Sequence, residues 1–205
     1  MGNGTTGRLE VIAGPMFAGK TEELVRRVHR AQAARRGVLV VAHELDTRSG
    51  PGRVASHSGL EVASRGVASA GEIPGLVGEG VRVVAVDEAQ FFGPDLVPVV
   101  TGLADAGLVV VVAGLSVTYD GRPFEPLPGL MAVAESVTKL TAVCAVCGRD
   151  AAFHVRRAGG PGGPGGVPDG GGDAPTDALT PEPGHVGGAE SYEARCREHR
   201  AARGQ

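Results

Sequence analysis

The stretch Gly14-Pro15-Met16-Phe17-Ala18-Gly19-Lys20-Thr21 decides the fold of this chain. It has glycines five positions apart, followed at once by lysine and a hydroxyl residue. That spacing is a phosphate-binding loop. Its small residues let backbone N–H groups turn toward phosphate oxygens. The lysine reaches the outer phosphates, and the threonine hydroxyl is placed for a magnesium ion. Context agrees: "LEVIA" (9–13) before the loop reads as a buried strand. After it, "TEELVRRVHRAQAAR" (21–35) sets Leu24, Val25, Val28 and Ala31 on one helical face. The new helix turns its positive end toward the loop. Gly37 is expected to stop that helix.

Working outward, aliphatic runs recur at 38–43, from Val81, and at 108–114. Such near-continuous runs suit parallel strands covered on both faces. Helical segments between them, such as 94–106, give an α/β domain with a mostly parallel sheet. Residues 44–75 are polar and rich in turn formers, and read as a rim connection. Beyond Ser116 come a turn-rich loop, a short helix at "LMAVAES" and a strand at "VTKLTAVC".

The third run ends in "DEAQFF" (87–92). Neighbouring residues on an extended chain point in different directions. Asp87 is therefore assigned to the metal side, and Glu88 to accepting a proton from an attacking oxygen. Gln90 joins the nucleotide side. Phe91 and Phe92 offer an aromatic wall to a flat acceptor, so the phosphate acceptor reads as a small ring-bearing alcohol.

Cys144-x2-Cys147 and, after 48 intervening residues, Cys196-x2-His199 supply three thiolates and one imidazole. This is the donor set of a closed, structural zinc site. Three cysteines cannot all pair in one chain, which also favours metal. Between the ligand pairs, residues 158–184 hold 10 glycines and 6 prolines. They lack the apolar side chains that offset ordering, and read as a flexible insertion. The reading divides the chain into a nucleotide-binding domain (1–136) and a zinc-ribbon-like subdomain carrying a lasso loop (137–205).

The formal charge is −3 and aromatics are 3%. Neither a basic nucleic-acid surface nor a base-stacking platform is visible. No apolar run reaches membrane-helix length, and the start lacks a signal pattern, so a cytoplasmic location is expected. On residues alone two rivals stay open. One is a nucleic-acid ATPase, suggested by "DEAQ"; the other is a non-catalytic zinc-ribbon interaction protein.

Five stretches in this order resemble the zinc-containing (type II) thymidine kinases: "GPMFAGKT"; "DTR" (46–48) with "SHSG" (56–59); "DEAQFF"; "GRPF" through "AESVTKLTAVCAVC"; and "GGAESYEARCREH". The resemblance implies transfer of the γ-phosphate of ATP to the 5′-hydroxyl of thymidine or deoxyuridine. It implies ATP, Mg²⁺ and structural Zn²⁺, a homotetramer, and thymidine triphosphate as feedback inhibitor. Glu88 matches the general base, while Asp46 and Arg48 match polar residues at the phosphate end. Met16, Phe91, Leu115, Tyr119, Phe124 and Tyr192 match positions around the nucleoside. Val186, Gly187 and Gly188 match the lasso backbone that contacts the base. Cys144, Cys147, Cys196 and His199 match the zinc ligands. Three residues depart from the family pattern: Ser116 stands where relatives commonly carry Asp, and Asp120 and Arg122 exchange the usual charges.

Overall fold

The computed structural model describes residues 6–46, 52–55, 59–157 and 191–200. Arg48, Val186, Gly187, Gly188 and the 158–184 insertion lie outside them. Its centre is a six-stranded sheet, every neighbouring pair parallel. The chain order is β1 (Arg8–Gly14), α1 (Lys20–Ala33), β2 (Gly37–His43), β3 (Arg53–Ala55), β4 (Glu61–Ala63) and β5 (Arg65–Val67). There follow a 3₁₀ turn (Ala70–Leu76), β6 (Val81–Val86), a second 3₁₀ turn (Ala89–Phe92), α2 (Leu96–Asp105), β7 (Val109–Leu115), α3 (Leu127–Val133) and β8 (Ser136–Lys139). In space the strands run β5-β2-β6-β7-β1-β8.

Alternation along each strand divides the core in two. Leu9, Val11 and Ala13 of β1, with Val84, Val86, Val110 and Val112, pack against α2, α3 and the first 3₁₀ turn. Ile12, Val40, Ala85, Val111 and Ala113 face Leu24, Val25 and Val28 of α1. Both faces are covered, as the aliphatic runs require. Arg27 of α1 ties its helix to the sheet, reaching Glu10 of β1 at 2.6 Å and Thr138 of β8 at 2.9 Å.

Two expectations are corrected. Helix α1 ends at Ala33, before Gly37. Arg35 takes the left-handed position (φ 57), with Arg35 N–H bonded to Gln32 C=O and Arg36 N–H to Ala31 C=O. This is a Schellman stop made without glycine. Gly37 instead opens β2 where Gly80 C=O lies 2.3 Å from the place of a Cβ, so no side chain fits. The rim connection also contains β5, a genuine edge strand of the main sheet, and a β3–β4 hairpin.

Beyond β8 the chain builds two small antiparallel ladders. They are β9 (Ala142–Val143) with β10 (Asp150–Ala151), and β11 (Phe153–Arg156) with β12 (Tyr192–Arg195). The expected strand at 137–144 is broken in two: Leu140 still bonds to Ala13 C=O, and the chain then leaves the sheet for its own ladder. Ala142, Cys144, Ala151, Ala194 and Cys196 form a separate small core.

Candidate active site

The phosphate loop begins where β1 ends. Gly14 has no room for a side chain: a Cβ would sit 2.8 Å from Leu140 C=O. Gly19 adopts φ 78, a left-handed conformation that glycine takes without strain. Lys20 is buried, and its ammonium donates to Pro15 C=O at 2.7 Å, lying across the loop it belongs to. The Thr21 hydroxyl donates to Asp87 Oδ2 at 3.0 Å. Asp87 follows β6, two strands away from β1, and its N–H is fixed on Val41 C=O of β2 at 3.0 Å. Parallel strands thus bring the loop and the acid together at their carboxyl ends, the position of ligand crevices in open α/β sheets.

Glu88 is buried and sits at φ 50, ψ 48, in the left-handed region that a non-glycine residue occupies at a cost. The Gln90 amide donates to the Glu88 carboxylate, and Gln90 Oε1 accepts from Leu115 N–H at 3.0 Å. Gln90 therefore braces the proposed base against β7. Gly114 makes room for this brace: a Cβ there would meet Leu127 Cδ2 at 2.7 Å and Gln90 Oε1 at 3.1 Å.

The aromatic residues expected around the acceptor are mostly buried, and Phe92 belongs to the main core. Phe91, Phe92, Phe124 and Tyr192 are buried, and Tyr119 lies 6.5 Å from Tyr192, ring to ring. Tyr192 is not in a loop, as its surroundings suggest, but opens β12, paired with Arg156. The Arg156 guanidinium lies over Tyr119, 4.4 Å from the ring centre. Leu115 ends β7 beside Gln90, and Asp46 follows β2, its N–H on His43 C=O. Asp120 and Arg122 meet each other at 2.6 Å across a turn whose Thr118 hydroxyl also bonds Asp120. The exchanged charges thus neutralise within the loop.

Sequence reasoning missed His43, His154, Arg156 and Gly114. The His43 ring stands edge-on to Phe92 at 4.9 Å and accepts Leu45 N–H at 3.1 Å. His154 of β11 is buried, with Nδ1 3.5 Å from Met16 N–H in the phosphate loop. Burial, then the nearby Lys20 ammonium, holds its pKa down to about 4, so the ring is neutral. The available signal was a histidine between Phe153 and Val155 in a short strand. Its partner lies 138 residues away, beyond any local pattern.

Cys144, Cys147, Cys196 and His199 converge, their ligand atoms all within 4.8 Å of one another. Cys147 and Cys196 sulfurs are 3.8 Å apart, and Cys196 Sγ is 3.2 Å from His199 Nδ1. A tetrahedral zinc with Zn–S near 2.3 Å sets sulfurs about 3.8 Å apart. The four residues fit that ion.

The thymidine kinase family model matches residues 7–200. The chain belongs to the thymidine kinase family. A thymidine kinase of Bdellovibrio bacteriovorus is 45% identical over 195 residues, covering 95% of this chain and 86% of that one. One of Deinococcus radiodurans is 48% identical, over 75% of this chain and 77% of the relative. One of Deinococcus deserti is 44% identical over 94% of each. Among solved structures, domain III of the Thermotoga maritima replication initiation protein DnaA aligns at 13% identity and a TM-score of 0.39. That alignment takes in 68% of this chain and 57% of the other, and bears on nothing further. Family membership accounts for the order of the motifs along the sequence. Among the described residues no helix is long and apolar enough to cross a membrane.

Proposed function

We propose that this protein transfers the γ-phosphate of ATP to the 5′-hydroxyl of thymidine and of deoxyuridine. The observation that carries this reading is the arrangement of Thr21, Asp87 and Glu88. A phosphate-loop hydroxyl and a strand-end acid are paired at 3.0 Å, and a braced carboxylate follows on the next residue.

Phosphoryl transfer asks for alignment and charge stabilisation more than covalent help. Backbone N–H groups of 17–21 receive the triphosphate. Lys20 leaves its Pro15 contact for the phosphate oxygens. Thr21 and Asp87 are hard oxygen donors that suit Mg²⁺, which when bound would offset phosphate charge. Glu88 takes the proton of the nucleoside hydroxyl as that oxygen bonds to phosphorus and the bond to the β-phosphate oxygen breaks. Gln90 holds Glu88 for this task. Phe91, Tyr119, Phe124 and Tyr192 enclose the nucleoside ring. Cys144, Cys147, Cys196 and His199 would hold zinc in a structural role, and the ion would fasten the base of the lasso.

The same reading includes a homotetramer, feedback by thymidine triphosphate, a cytoplasmic location and the division into domains at 136. Size-exclusion chromatography with light scattering tests the first, and inhibition kinetics test the second. The central experiment incubates the zinc-loaded protein with ATP, Mg²⁺ and a panel of nucleosides, followed by product analysis. Thymidine and deoxyuridine monophosphates are the expected products. ATP turnover that needs single-stranded nucleic acid and leaves every nucleoside intact would overturn the proposal.

A further inference from the structure

The phosphate loop does not stand on the sheet alone. Three contacts prop it from the metal-fastened part of the chain. Leu140 N–H bonds to Ala13 C=O at 2.8 Å, directly before the loop. Ala18, inside the loop, packs against the small core of Ala142, Cys144, Ala151, Ala194 and Cys196, which contains two of the four metal ligands. His154, on β11 between the ligand pairs, offers Nδ1 to Met16 N–H at 3.5 Å.

The third contact is the informative one. A buried imidazole costs free energy unless its nitrogens are used. Here Nδ1 accepts, which places the proton on Nε2. The ring is also held edge-on by Tyr192 at 5.7 Å, so β12 fixes it from one side and the loop from the other. A phosphate loop binds through the directions of its backbone amides, and those directions follow from the placing of every residue in it. Turning Met16 N–H outward onto His154 constrains the path of Met16, Phe17 and Ala18. Phe17 carries the strained φ of 65 within this segment.

We propose that His154 is a positioning residue for the triphosphate, transmitting the order of the metal-fastened ladder to the phosphate loop. The proposal rests on the nucleotide-binding reading above, and adds that the zinc unit serves the ATP side as well as the lasso. It acts through Met16 N–H and touches no reacting atom.

The test compares the zinc-loaded wild type with His154→Leu, which fills the space without an acceptor. It adds His154→Asn, whose side-chain oxygen can stand near the position of Nδ1. The probe is a non-hydrolysable ATP analogue with Mg²⁺, its Kd read by calorimetry; zinc content is measured on the same samples. The leucine variant is expected to bind the analogue about tenfold more weakly, with zinc unchanged. The asparagine variant is expected to recover most of that loss. Wild-type affinity in the leucine variant would overturn the proposal, as would asparagine as weak as leucine. So would zinc loss parallel to the loss of affinity. If the leucine protein does not fold, His154→Ala takes its place under the same criteria. The readout needs no phosphate transfer: a protein that binds the analogue but leaves thymidine untouched would sink the proposed function and leave this inference standing.

Discussion

Single residues carry the chemistry, and two of them make separable predictions. Glu88→Gln keeps the shape and the Gln90 contact but removes the proton acceptor. Turnover is expected to fall by roughly 10² to 10⁴, with ATP affinity unchanged; steady-state kinetics and nucleotide titration check both halves. His154 makes a prediction about pH. Its ordinary pKa of 6.5 is depressed to about 4 in the fold, by burial first and Lys20 second. Between these values the unfolded chain binds a proton that the folded chain refuses. Stability is therefore full above pH 6.5 and declines as pH falls toward 4, by roughly 3 kcal/mol from this group. His154→Asn should lose less stability over that window, seen as converging denaturation midpoints. The difference between the two proteins removes titrations they share. Residue-scale roles were unevenly legible. Lys20, Thr21, Asp87 and Glu88 stand in short patterns whose spacing is itself the chemistry. His154 and Gly114 matter through contacts made in space. Nothing beside them in the sequence marks a phosphate-loop amide or a glutamine brace as their neighbour.

Elements show the same division. The strands β1, β2, β6 and β7 were readable because parallel strands buried on both faces are written as unbroken aliphatic runs. The edge strand β5 and the ladders β9 to β12 have two to four residues each. They carry too little periodicity of their own, and form because the sheet edge and the ligand cluster hold them. Strand β7 yields a prediction at this scale. Gly114→Ala would press a methyl group toward Leu127 and Gln90. Overpacking of that kind costs about 1–3 kcal/mol, and here it also displaces the partner of Glu88. The expected result is a lowered melting temperature together with a fall in kcat larger than any change in ATP affinity. The ladder elements yield another. Cys147→Ser removes one of four ligands, so metal content should drop and the nucleoside KM should rise; full zinc occupancy with unchanged kinetics would refute the assignment.

At the scale of the whole molecule, the parallel sheet brings the phosphate loop, Asp87 and Glu88 together at the carboxyl ends of its strands, and the segment carrying the Cys144, Cys147, Cys196 and His199 cluster packs against the loop. The two parts meet through Leu140, Ala18 and His154. The entry to and exit from the 158–190 excursion lie side by side, with Arg157 N–H bonded to Ser191 C=O at 2.9 Å. β11 and β12 already pair below that point, and the ligand cluster lies below them. Removing 162–178 leaves 158–161 and 179–190 to join two points that touch, so activity is expected to survive the deletion; loss of kcat in a folded deletion protein would contradict this. That closure has an engineering consequence. A fluorescent reporter or an affinity handle, its own termini close together, is expected to be tolerated between 162 and 178, with turnover kept near that of the parent protein.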